Sequence, residues 1–128
     1  MVDVSEQHRK KVLVVEDDKD TRYVVQMLLE YAGYTVATAS NGAEALTYLK
    51  SHEHPCLVLL DMIMPLMNGR QLLSALRQCD KLAPLPVVVV SATHEDALDL
   101  AKNVQGFVRK PIDLDLLLNF VSKYCGAG

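Results

Sequence analysis

Much that would declare a function at once is missing from this sequence. No apolar run approaches the length that crosses a bilayer, and the N-terminal stretch with Asp3, Ser5, Glu6, Gln7 and His8 is too polar for a secretory signal. A cytoplasmic protein with no membrane partner is the expectation. The three cysteines, Cys56, Cys79 and Cys125, are odd in number and have no short metal-type spacing, so they read as reduced thiols in a reducing compartment. There is no excess of positive charge. The formal net charge is −3, and apart from Arg9, Lys10 and Lys11 the basic residues are scattered, which gives no reason to expect direct binding to nucleic acid or an anionic membrane. No internal repeat or low-complexity segment occurs, and no linker precedes Gly126.

What is present describes one ordinary domain. A chain of 128 residues can bury a single sizeable core, and 50% apolar with 23% charged residues is the balance of a globular protein. A polar extension is expected over 1–10, the domain over 11–125, and a frayed end or linker stump over 126–128.

Short aliphatic runs alternate with helix-length amphipathic segments. Lys11–Val15 reads as a buried strand, because Val12, Leu13, Val14 and Val15 leave no polar face. Asp20–Ala32 reads as a helix with Val24, Met27, Leu28 and Tyr31 on its inner stripe and Gly33 ending it. Thr35–Ala39 is a second strand. Asn41–Lys50 is a helix with Ala45, Leu46 and Leu49 inward, and Leu57–Leu60 is a third strand. Gly69–Gln78 follows as a helix burying Leu72, Leu73 and Leu76. Pro86 opens a strand at Val87–Val90, and a short polar helix is expected near Glu95–Lys102. Phe107–Arg109 is a fifth strand. Asp113 can cap a last helix with Leu116, Leu117, Phe120, Val121 and Tyr124 as its stripe. Alternation of this kind implies an α/β fold with a parallel sheet covered on both faces, since parallel neighbours need crossover connections.

In open α/β sheets ligands gather outside the carboxyl ends of the strands. The polar residues fall there: Glu16, Asp17 and Asp18 after strand one, Asp61 after strand three, Ser91 and Thr93 after strand four, Lys110 after strand five. Each has a plain alternative. An Asp or Ser after a strand is often only a helix N-cap, and Lys110 with Pro111 alone would be a surface turn. Several carboxylates on one edge repel one another and raise their own pKa values unless a cation joins them. With no His or Cys in these clusters, an oxygen-seeking ion fits: Mg²⁺, with Mn²⁺ as the alternative. An Asp carboxylate beside such a metal can attack phosphorus and form an acyl phosphate, with the lysine neutralising charge on the transferring oxygens.

These residues resemble a known family. Asp61-Met62-Ile63-Met64-Pro65-Leu66-Met67-Asn68-Gly69 is similar to the phosphoacceptor loop of two-component response regulator receiver domains. Val14-Val15-Glu16-Asp17-Asp18 resembles that family's acidic cluster, Ser91-Ala92-Thr93 its hydroxyl switch, and Phe107-Val108-Arg109-Lys110-Pro111 its aromatic-x-x-Lys-Pro ending. The resemblance runs from Lys11 to Tyr124. It implies a flavodoxin-like, doubly wound five-stranded sheet of order 2-1-3-4-5. It also implies that Asp61 is the phosphorylated nucleophile, and that Asp17, Glu16, Asp61 and the backbone carbonyl of Ile63 are the metal ligands. Ser91 and Lys110 would bind the phosphoryl group, with Lys110 paired to Asp61 at rest. Phe107 would be the switch aromatic, and the Lys110–Pro111 peptide is expected to be cis. The donor would be a histidine kinase or histidine phosphotransfer protein, and the output a downstream protein or attached effector. Such a chain assists its own phosphorylation and dephosphorylation without being a turnover enzyme on an external substrate.

Three features depart from the family pattern. The switch hydroxyl is Ser91 where Thr is commoner, the aromatic Phe107 has no hydroxyl, and the stretch from Ser91 to Lys110 is short by about one helical turn. The shortening falls on the fourth-helix region, which normally carries output and dimer contacts. Competing readings are a receiver used as a phosphorylation-independent interaction module, a haloacid-dehalogenase-like phosphohydrolase built on Asp18-Lys19-Asp20-Thr21, and an FMN carrier. The phosphohydrolase reading meets Arg22 where Thr or Val is usual. The FMN reading meets acids where a phosphate loop is needed. His8, His52, His54 and His94 read as solvated; Met62, Met64 and Met67 as packing around the loop; Cys56 as a small core residue. No effector follows Tyr124 in this sequence, so a stand-alone receiver or a piece of a larger protein is expected.

Overall fold

In the computed structural model, residues 11–64, 66–92 and 104–127 are described. The elements are β1 (Lys11–Val15), α1 (Lys19–Tyr31), β2 (Thr35–Ala39), α2 (Gly42–Ser51), β3 (Leu57–Asp61), α3 (Gly69–Gln78), β4 (Val87–Ser91), β5 (Gly106–Arg109) and α4 (Leu114–Cys125). All strand pairs are parallel, and the five strands run β2-β1-β3-β4-β5. The expected doubly wound order is therefore the one observed. The short helix expected near 95–102, and with it Thr93 and His94, lies outside the described residues.

Alternation along each strand divides the core into two layers. Leu13, Val15, Val58, Leu60, Val87 and Val89 face α2 and α3, where Ala45, Leu49, Leu72, Leu73 and Leu76 cover them. Val12, Val14, Leu57, Leu59, Val88 and Val90 face α1 and α4, against Val25, Leu29, Leu117 and Val121. β3 and β4 are buried at every position, as strands covered on both faces must be.

The helix starts are chemically specified. Asp18 caps α1, Asn41 caps α2 and Asp113 caps α4, each side chain accepting an amide of the first turn. Asn68 and Gln71 form a reciprocal capping box at α3. Gly69 lets that helix begin against the end of β3. A Cβ there would lie 2.7 Å from the Asp61 carbonyl oxygen and 2.7 Å from Met62 Cα, both backbone atoms that cannot retreat.

Three expectations need correction. The inner stripe of α1 is Val25 and Leu29; Val24, Met27 and Tyr31 are exposed at 52%, 51% and 95%. Apolar residues spread over more of the helix circumference than the sheet can cover, so periodicity alone could not choose the face that meets β1 and β2. In α4, Leu116 is exposed and Cys125 closes the buried row with Leu117 and Val121. Cys56 and Cys125, expected as free thiols, are joined in a disulfide with their Cα atoms 5.3 Å apart. The 12-residue α4 starts near the carboxyl edge of the sheet and is about 18 Å long. It therefore ends at the opposite edge, where Cys56 leads into β3. Cys79 remains a free thiol.

Candidate functional site

The carboxyl edge of the sheet gathers its polar groups from the ends of β1, β3, β4 and β5. Glu16, Asp61 and Ser91 are buried, at 4%, 6% and 1% exposure, while Asp17 is exposed. One carboxylate oxygen from each of Glu16, Asp17 and Asp61 lies within 4.8 Å of the others. Lys110 reaches into this group, its Nζ 2.8 Å from Glu16 Oε1 and 3.7 Å from Asp61 Oδ1. The lysine thus pairs with Asp61, as the resemblance implied for the resting state, and more closely with Glu16. Glu16 leaves β1 on the strand next to β3, so its longer side chain meets the ammonium first.

Burial sets the electrostatics. A small void of about 20 Å³ beneath the acids has an apolar floor of Val14, Val25, Leu59, Val90, Ile112 and Leu117. Burial, then the hydrogen bond and negative charge of Glu16, push the Asp61 carboxyl up to about 7, against the opposing pull of the Ile63 amide and Lys110. For Glu16 burial also acts upward, but the hydrogen bonds with Asp61 and Lys110 outweigh it and its pKa falls below the ordinary value. For Lys110 burial acts downward, and the Glu16 hydrogen bond with the surrounding carboxylates outweighs it, so the ammonium is strengthened. Without a metal, Asp61 is therefore the carboxyl of the pair that takes up a proton more readily. Three carboxylates facing one ammonium leave negative charge uncompensated, and an all-oxygen donor set with no His or Cys suits Mg²⁺.

The neighbouring backbone supports this arrangement. The Ile63 amide donates to Asp61 Oδ1 at 3.3 Å, while the Ile63 side chain is exposed. The Lys110 amide donates to the Ser91 carbonyl at 2.8 Å, which fixes the lysine loop beside the end of β4. The Lys110–Pro111 peptide is cis. Phe107 is half-buried on β5, paired in register with Val89 and packed against the α2/α3 layer.

Arg22 was not singled out as a site residue by sequence reasoning. Its guanidinium donates to the carbonyl of Glu16 at 2.8 Å and of Asp17 at 3.3 Å, tying the acidic turn to α1. The only available signal was its place one turn into the helix after the acids. Asp18 has the plainer role foreseen for it. It caps α1 through the Thr21 amide, and the Thr21 hydroxyl and amide lower its pKa. Asp20 lies in the first turn of α1, outside the cluster of Glu16, Asp17 and Asp61.

A family model for the response regulator receiver domain matches residues 12–122. The chain belongs to the response regulator receiver family. An uncharacterized 14.6 kDa protein from Leptolyngbya boryana is 36% identical over 117 residues, covering 89% of this chain and 88% of that protein. The probable transcriptional regulator ycf27 of Cyanophora paradoxa is 39% identical over 90 residues, 70% of this chain but 36% of its own length. This receiver therefore spans about a third of such regulators. Among solved structures, the response regulator TrrA of Thermotoga maritima, determined with Mg²⁺-BeF, superposes with a TM-score of 0.81 at 30% identity, covering 90% of this receiver and 98% of that chain.

Proposed function

We propose that Asp61 accepts a phosphoryl group from a histidine kinase or histidine phosphotransfer protein, and that this switches a signalling surface of the domain. The observation that carries the reading is the buried Asp61 carboxyl, held beside Glu16, Asp17 and Lys110 at one sheet edge. Asp17, Glu16, Asp61 and the Ile63 carbonyl would hold Mg²⁺, with Mn²⁺ as a substitute, and the ion would supply charge neutralisation on the transferring oxygens. An oxygen of deprotonated Asp61 bonds to phosphorus as the donor's nitrogen–phosphorus bond breaks. The Lys110 ammonium, already beside Asp61 Oδ1, then pairs with the phosphoryl oxygens, and the Ser91 hydroxyl donates to another.

The new group carries roughly −1.5 to −2 charges. It biases a two-state equilibrium at the loops after β4 and β5, with Phe107 as the aromatic that responds. This chain acts as a phosphoacceptor that promotes its own phosphorylation and dephosphorylation, not as an enzyme with external turnover. We assign it to the cytoplasm. No described helix is long and apolar enough to cross a membrane. Its downstream partner is a protein or attached effector rather than nucleic acid or membrane. Incubation with Mg²⁺ and a small phosphodonor, followed by intact mass, tests the acceptor. The wild type should gain one phosphoryl group and Asp61→Asn none; equal gain in both would refute the assignment.

A further inference from the structure

The disulfide lies at the end of the domain opposite the acidic site. Cys56 immediately precedes β3, whose far end is Asp61, and its amide is held to the Lys11 carbonyl at 2.9 Å. Cys125 ends α4, the helix that begins just after Lys110 and Pro111. The bridge therefore joins the start of β3, the strand that delivers Asp61, to the end of the helix that follows the Lys110 loop. The same helix end has a second, non-covalent tether: the buried Tyr34 hydroxyl donates to the Gly126 carbonyl at 2.6 Å.

The fold does not depend on this bridge as a small disulfide-rich domain would. Both faces of the sheet are already covered by continuous apolar layers. The two cysteines also differ in access, with Cys125 buried at 7% and Cys56 half-buried. In a cytoplasmic setting, glutathione keeps most thiols reduced and disulfides are usually transient.

We propose that Cys56 and Cys125 form a thiol–disulfide exchange site, closed by small-molecule disulfides and opened by thiols, that reversibly ties the end of α4 to the foot of β3. The proposal rests on the cytoplasmic assignment above but not on phosphorylation of Asp61. In closure, the more accessible Cys56 thiolate attacks one sulfur of the small disulfide, forming a mixed disulfide and releasing one thiolate. The Cys125 thiolate then attacks the Cys56 sulfur and expels the second thiolate. The protein gives up two protons and two electrons, and the small disulfide becomes two thiols.

Closing a loop between residues 69 apart restricts the unfolded chain substantially. The expected gain in melting temperature is about 10 °C. The test uses the full chain carrying Cys79→Ser, which leaves the pair as the sole thiols. It is equilibrated under native conditions in reduced and oxidised glutathione, quenched with acid and alkylated, and its thiols are counted by intact mass. The expected result is a reversible two-thiol to no-thiol transition, with the oxidised form melting higher. Cys56→Ser and Cys125→Ser should each abolish that difference, and Asp61→Asn should preserve it. The proposal is overturned if the native pair stays reduced in excess oxidised glutathione. It is equally overturned if the pair resists reduction until urea unfolds the chain, or if it takes up glutathione without bridging. Phosphodonor labelling of Asp61 is measured separately, so failure of the acceptor reading and failure of the exchange site are distinguishable.

Discussion

Asp61→Asn should make the metal-free protein more stable, although it removes a group central to the proposed function. The Asp61 carboxyl titrates near 7 in the folded chain against an ordinary 3.8. Between those values the folded state binds more protons than the unfolded state, so stability falls as pH rises through this window and levels off above about 7. A difference of about three pKa units corresponds to a ceiling of about 4 kcal/mol. The depressed Glu16 and strengthened Lys110 return part of that, so the net effect lies below this ceiling. Asparagine keeps the size of the side chain and an oxygen to accept from the Ile63 amide. Lys110 retains Glu16 at 2.8 Å, so loss of the 3.7 Å contact to Asp61 is the smaller effect. For a domain of this size that ceiling corresponds to a gain of up to about 15 °C in melting temperature at pH 8, shrinking toward zero at pH 4. Thermal unfolding by circular dichroism in EDTA across that range measures it. A variant that melts lower than wild type at pH 8, or whose advantage is the same at every pH, would refute the reasoning.

Lys110→Ala should destabilise the metal-free protein by about 1–3 kcal/mol, because it leaves the buried Glu16 carboxylate without its cation. The stabilisation comes from a raised folded pKa, so in the wild type it should persist through neutral pH and disappear only as pH climbs through that raised value; urea unfolding at graded pH checks both. Arg22→Ala releases the Glu16 and Asp17 carbonyls and should weaken Mg²⁺ binding by about tenfold or less, measured by titration calorimetry, as expected for about 1 kcal/mol of lost hydrogen bonding. Unaltered Mg²⁺ affinity would remove Arg22 from the site. Gly69→Ala forces a Cβ against the Asp61 and Met62 backbone and should cost about 2 kcal/mol or more in urea unfolding. Wild-type stability would mean that the end of β3 is looser than its packing indicates.

The sheet and its edge were legible because both follow from short-range chemistry. Val12–Val15, Leu57–Leu60 and Val87–Val90 are apolar without a break, so each had to lie between two layers. Once the strands were placed, the acids, Ser91 and Lys110 had only one edge to occupy. The failures arose where the outcome depends on partners remote in sequence. In α1, Tyr23, Val24, Val25, Met27, Leu28, Leu29 and Tyr31 allow several inward faces, and contact with the sheet selects Val25 and Leu29. Cys56 meets Cys125 because the length of α4 matches the depth of the sheet, which cysteine spacing does not encode. Lys110 pairs with Asp61 as expected, and its additional, nearer contact with Glu16 is set at the junction of separate strands, which no local pattern encodes. The capping box of Asn68 and Gln71 was written plainly in local sequence and could have been read.

The most direct test of the account is to locate the acyl phosphate. Wild-type protein treated with Mg²⁺ and a small phosphodonor would be reduced with borohydride, which converts an aspartyl phosphate to a stable alcohol, then digested and sequenced by mass spectrometry. Reduction at Asp61 alone, absent when Mg²⁺ is withheld, is the predicted result. Reduction at Asp17 or Glu16, or none at any position, would contradict it.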